Sequence, residues 1–98
     1  MKLLAVFGAL ALSATANAAV TATCTPGLNY CSGVLEDVGN NGDAIEDALR
    51  RYGLGNNSRN TNLWPYYVFH CNDDHTLTVV DDCQLGCLNH GKGQNDSC

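Results

Sequence analysis

The chain has 98 residues, five basic and ten acidic side chains, and a net charge of −5. That is one domain's length. The acidic balance argues against nucleic-acid binding and against lysis of anionic membranes, both of which need clustered Lys and Arg.

Residues 1–18 carry the pattern of a secretory leader. Lys2 is the charged start, residues 3–12 are apolar, and Ala16-Asn17-Ala18 is an A-x-A cleavage site. The apolar run is too short for a membrane span, which takes ~20 residues, and no later segment is continuously apolar, so no stable membrane anchor is expected. The expected organisation is a signal peptide at 1–18 and a single disulfide-stapled secreted domain at 19–98. Cleavage leaves 80 residues, with Arg50, Arg51, Arg59 and Lys92 against ten carboxylates and a net charge of −6. A chain this small buries too little surface to be comfortably stable through its core alone. Three disulfides, at roughly 2–4 kcal/mol each, supply the margin.

Pro26-Gly27 is a turn signal. Residues 31–38 (CSGVLEDV) place apolar side chains at 31, 34, 35 and 38, which predicts a short helix stopped by Gly39 at its C′ position, with a strand as the competing reading because the run is brief and Gly33 weakens a helix. Residues 43–52 (DAIEDALRRY) predict the clearest helix. Asp43 is the expected N-cap, with Glu46 three residues on in a capping-box arrangement. Ala44, Ile45, Ala48, Leu49 and Tyr52 form one apolar stripe, Arg50 and Arg51 suit the C-terminal end of the dipole, and Gly53 is the stop. Residues 55–62 (GNNSRNTN) read as a polar loop. Residues 63–71 (LWPYYVFHC) and 76–80 (TLTVV) are aromatic and β-branched and flank Asn72-Asp73-Asp74-His75, which predicts a β-hairpin with a four-residue loop. Pro65 belongs at the strand start or on an edge. Residues 81–98 are poor in apolar side chains and must be held by their cysteines.

The six cysteines are Cys24, Cys31, Cys71, Cys83, Cys87 and Cys98. In an oxidising compartment they pair. Six allow fifteen connectivities, and the sequence selects none. The first and last lie near the chain ends, so at least one bridge is expected to tie an end to the core. A zinc set from Cys83, Cys87, His90 and either His70 or Cys71 is the competing reading, but the spacing matches Cys-x2-Cys pairs poorly and oxidation consumes the thiolates. No cofactor is expected. The fold class expected is a small disulfide-rich α+β domain, with one or two short helices packed on a β-hairpin or small antiparallel sheet and three disulfides.

Asp73-Asp74 and Asp81-Asp82 are paired carboxylates. Their spacing lacks the rhythm of a calcium loop, and Asp is a common turn residue, so solvated turns are the simpler reading. His70, His75 and His90 with Ser32, Ser58 or Ser97 offer the raw material for hydrolysis, but no nucleophile elbow is present and no basic phosphate clamp accompanies the histidines. No enzymatic activity is expected. Trp64, Tyr66, Tyr67 and Phe69 are the densest aromatic cluster. Alternation along a strand sends one side to the core and leaves the other as a potential contact surface. Asn56-Asn57-Ser58 and Asn95-Asp96-Ser97 are N-glycosylation sequons, with Asn56 and Asn95 as acceptors.

The run Cys24-Thr-Pro-Gly-Leu-Asn-Tyr-Cys31, followed by Ser-Gly-Val-Leu, resembles the C-x-P-G-x-x-Y-C-G-x-x-L opening of many small secreted cysteine-rich fungal proteins. The finish, Cys83-x3-Cys87 and a Gly-rich stretch before Cys98, resembles theirs as well. The departures are Ser32, where Gly is common, and Asp96-Ser97, where Ser-Asp is common. Several members of this class are effectors of plant-associated fungi, including biotrophy-associated secreted proteins. The resemblance implies a secreted effector of a fungal pathogen, acting in the apoplast or at the host–fungus interface. It implies binding of a host extracellular protein or glycan and modulation of plant immunity, with no catalytic residues carried over. The alternative is a secreted toxin or antimicrobial protein directed at competing microbes, which shares every gross feature.

Overall fold

A computed structural model describes residues 20–98. The leader expected over 1–18 lies outside the described residues. Among these, a three-stranded antiparallel sheet and two α-helices form the α+β domain, closed by three disulfides.

Strand β1 (Asn29–Cys31) runs straight into helix α1 (Ser32–Val38), and helix α2 (Gly42–Leu49) follows after a short link. Strands β2 (Tyr67–Cys71) and β3 (Leu77–Asp82) form the hairpin, and the sheet order is β1-β2-β3. The central strand is therefore β2, which accounts for burial on both its faces. Tyr30 pairs with Phe69 and Phe69 with Val79, all on the face that α2 covers. Leu35, Ile45, Leu49, Phe69 and Leu77 are fully buried there, each contributing roughly 1.5–3 kcal/mol through the apolar area it removes from water. Cys31 pairs with Val68 on the opposite face, and the Cys31–Cys87 bridge draws residues 83–98 across it.

Helix α2 follows the predicted stripe, with Ala44, Ile45, Ala48 and Leu49 buried. Its start differs from expectation. The cap position is Asn41, and Asp43 lies inside the first turn. The Asn41 side chain does not cap. Its Oδ1 accepts from the Thr23 amide at 2.8 Å, and its Nδ2 donates to the carbonyls of Thr23 and Leu35 at 3.0 and 2.7 Å. This buried amide ties the extended segment at 21–25 to α1. Gly39 likewise does not end α1 by a left-handed turn, since its backbone is extended. A Cβ there would come within 2.8 Å of the Thr23 Cβ, so close approach is what requires glycine.

The end of α2 widens into a π-type turn, Arg50–Leu54, where Gly53 takes φ +124° and stops the helix as expected. Arg50 and Arg51 both donate to buried Asp47, at 2.6 and 3.0 Å, and Arg51 also donates to the Leu77 carbonyl on β3 at 2.7 Å. Those residues do more than complement a helix dipole. Arg51 fastens α2 to the edge strand β3, and Arg50 helps hold the Asp47 carboxylate that Arg51 shares.

Residues 63–66 were expected in the hairpin's first strand. Instead Trp64–Tyr66 is a 3-10 turn with Pro65 inside it, and Trp64 is buried with its Nε1 donating to the Ser58 carbonyl at 2.8 Å. Strand β3 runs on to Asp82, so Asp81 and Asp82 are exposed strand residues rather than turn residues.

The hairpin turns where predicted, but β3 begins at Leu77, so the loop between the strands has five residues, 72–76, rather than four. Asp74 Oδ1 accepts from the Thr76 hydroxyl at 2.7 Å and the Thr76 amide at 3.1 Å. These bonds, the hydroxyl foremost, hold the Asp74 carboxyl below its ordinary value. The loop's contribution is full above the ordinary carboxylate value and is lost as the pH falls through the lowered one. In a carboxyl-carbon NMR titration, Thr76→Val is expected to return Asp74 toward the ordinary value. An unchanged titration would show that the hydroxyl does not set it.

Candidate interaction surface

The disulfides resolve the fifteen connectivities to one set. Cys24 bridges Cys71, Cys31 bridges Cys87 and Cys83 bridges Cys98. The first ties the segment at 21–25 to the central strand of the sheet, and the last ties Cys98 to the residue after β3, so both ends of the described chain are bridged to it.

Residues 83–87 form a constrained segment of the surface. Cys83 and Cys87 belong to different bridges, and between them Gly86 N donates to the Cys83 carbonyl at 3.3 Å, closing a four-residue turn. Two further backbone bonds dock this turn on the 64–66 turn. Cys83 N donates to the Tyr66 carbonyl at 2.6 Å, and Cys87 N donates to the Pro65 carbonyl at 2.8 Å. Gly86 takes φ +98°, which L side chains rarely adopt. The remaining apolar residue, Leu85, is turned outward and is 98% exposed. Tyr66 (43%) and Leu88 (55%), on the segments the two backbone bonds join, are exposed as well.

Beside the turn lies an open cleft of about 640 Å³. Pro65 and Cys87 form one wall, and Gly33, Glu36 and Asp37 of α1 form another. Among the described residues neither Glu36 nor Asp37 forms an ion pair. The arrangement is an apolar anchor on a rigid support, flanked by a cleft with an unpaired acidic wall. Such a face fits a partner that offers an apolar pocket for Leu85 and a cation for the cleft.

The aromatic cluster does not divide by strand alternation, because Trp64 and Tyr66 lie on the 3-10 turn and only Tyr67 and Phe69 lie on β2. Trp64 and Phe69 are buried, Tyr67 is half-buried against Tyr52 at a ring separation of 5.7 Å, and Tyr66 is exposed. Burial pushes the Tyr67 hydroxyl up, with the Asp82 carboxylate and Tyr52 adding to it.

The other candidates separate in space. His70 Nδ1 meets Asn29 Oδ1 at 2.6 Å, and His75 lies beside the Cys24–Cys71 bridge. His90 Nε2 and Ser97 Oγ do approach to 2.9 Å. Asp96, adjacent to that serine, turns its carboxylate to the amides of Cys31 and His90, both at 2.9 Å, and not to the imidazole. The pair therefore lacks the orienting third group that activates a serine. Ser32 and Ser58 are buried. The proposed zinc donors Cys83 and Cys87 are bridged to other cysteines, and the compact Cys24, Cys71 and His75 group has both sulfurs in one disulfide. Asn56 is exposed on the 3-10 turn Gly55–Arg59. Asn95 is exposed too, with its Oδ1 accepting from the Asn29 amide at 2.8 Å.

Leu85 was not a candidate in the sequence, where residues 81–98 read only as a tail held by cysteines. One signal was present. An apolar residue inside a three-residue gap between two bridged cysteines has no length of chain with which to reach a core.

No protein-family model, no curated protein and no solved structure matches this chain.

Proposed function

We propose that this protein is a secreted binding module of the fungal effector type, acting at the host–fungus interface on a host extracellular protein and modulating plant immunity. The observation that carries the binding reading is Leu85. A leucine almost wholly exposed on a turn clamped by two disulfides loses little conformational freedom on docking, so more of its burial energy appears as affinity. The apolar anchor argues for a protein partner over a glycan. The leader pattern and the cysteine frame support the secreted, host-directed part of the reading.

The test is the chitin-triggered oxidative burst of leaf tissue, with purified oxidised protein. The wild type is expected to change the burst, and Leu85→Asp is expected to abolish that change while leaving the melting temperature within about 2 °C of wild type, as for a surface substitution. Reduced and alkylated protein should be inert. A burst untouched by the wild type, with growth inhibition of bystander microbes at micromolar doses, would overturn the host-directed reading in favour of an antimicrobial one. A burst changed equally by wild type and Leu85→Asp would remove the turn from the site.

A further inference from the structure

We infer that a second, smaller pocket under the 91–94 tip binds a carboxylate with a single-ring or short alkyl body. This pocket measures about 220 Å³. Leu28, Tyr30, Val34 and Val38 line one side, and residues 91–94 (Gly-Lys-Gly-Gln) form the other.

The hairpin that carries this tip is pinned below the tip. Leu88 N and Ser97 N donate to each other's carbonyls at 2.7 and 3.3 Å, and His90 N donates to Asp96 Oδ1 at 2.9 Å. Beyond these bonds the chain turns through Gly91 and Gly93, at φ +103° and +76°, with Gln94 N donating to the Gly91 carbonyl at 3.2 Å. The tip brings no apolar side chain to meet the wall of α1, and Val38 stays 48% exposed. An apolar cavity of ~150 Å³ holds a benzene-sized ligand, so this pocket has room for one ring and a short side chain.

The charge at the rim selects the ligand's polar end. Lys92 is the sole lysine of residues 20–98, it lines this pocket, and among the described residues it forms no ion pair. Asp96 also lines the pocket, but its two oxygens are taken by the amides of Cys31 and His90. The Tyr30 hydroxyl accepts from Thr25 N at 2.9 Å, which leaves its own proton to donate. A lysine and a tyrosine in the lining of an otherwise apolar pocket match a carboxylate on a small apolar body.

The inference is independent of the Leu85 surface, and the two are tested apart. Phenylacetate is titrated into ¹⁵N-labelled oxidised protein and followed by amide shifts, with benzylammonium and benzyl alcohol as charge controls. Phenylacetate is expected to bind saturably with a dissociation constant of about 1 mM, shifting the amides of Leu28, Val34, Val38, Gly91 and Gly93. Benzylammonium should not bind. Lys92→Gln is expected to weaken phenylacetate about fivefold and leave benzyl alcohol unchanged. Val38→Trp, at an exposed position, should fill the pocket and remove both while the remaining amide spectrum persists. Leu85→Asp should bind as wild type does. Equal binding of the acid and the amine, shifts elsewhere on the surface, or no saturable shift up to about 10 mM would overturn the inference.

Discussion

Replacing Cys31 and Cys87 together by serine is expected to lower the unfolding free energy by about 4 kcal/mol, on the chain-entropy account of a cross-link spanning 56 residues. The corresponding pair Cys83→Ser with Cys98→Ser closes a separation of only 15 and is expected to cost about 3 kcal/mol. Urea denaturation of the two double variants measures the difference. The order matters more than the values. Cys31 begins α1 and Cys87 ends the turn that presents Leu85, so the bridge joins the sheet's second face to the proposed contact surface. Its loss leaves the 83–87 turn held by Cys83–Cys98 and two backbone bonds to residues 65 and 66. The Cys31/Cys87 variant should therefore lose activity at temperatures where its sheet is still folded. If the shorter bridge proved the more costly one, the loop-length account would fail. Strain relief or residual structure in the unfolded chain would then be the larger effect.

Local patterning was legible where local forces decide. The i, i+3, i+4 stripe of Ala44, Ile45, Ala48 and Leu49 placed α2, and four turn formers at 72–75 placed the hairpin loop. What escaped depended on residues far apart in sequence. Asn41 serves Thr23, eighteen positions away, so the cap at 41 and the glycine at 39 answer to that residue and not to their own helices. Residues 63–66 have the aromatic composition of a strand, yet burying Trp64 with its indole N–H on the Ser58 carbonyl, and Pro65 beside it, selects a tight turn. Tertiary packing overrides propensity in such cases. The disulfide partners were not legible at all, because nothing in cysteine spacing encodes which strands neighbour one another. The candidate surface was half legible: Tyr66 stood out as one of a cluster, whereas Leu85 became visible only once its turn was seen bridged at both ends.

Asp96→Ala is expected to cost about 3 kcal/mol, as much as opening the Cys83–Cys98 bridge, although it removes no apolar contact. Asp96 is only 3% exposed and does the work of a missing strand. β1 is an edge of the sheet, and its outer backbone groups need partners. Asn95 Oδ1 accepts from the Asn29 amide at 2.8 Å, the Asp96 amide donates to the Asn29 carbonyl at 3.0 Å, and Asp96 Oδ2 accepts from the Cys31 amide at 2.9 Å. The other carboxylate oxygen takes the His90 amide at 2.9 Å and so fixes the base of the 88–97 hairpin. Truncation leaves two amide donors without their acceptor, at roughly 1–3 kcal/mol for each buried one, and uncovers an edge open to intermolecular pairing. Asp96→Asn is the informative control. Its Oδ1 keeps one acceptor, its Nδ2 cannot serve the second amide, and its cost should fall between wild type and alanine. Hydrogen exchange should locate the damage, with the amides of Cys31 and His90 exchanging faster in both variants while those of α2 stay protected. A uniform loss of protection would show that residue 96 supports the whole domain and not the β1 edge in particular. An unchanged exchange rate at Cys31 would show that the bridge to Cys87 alone holds the tail in place.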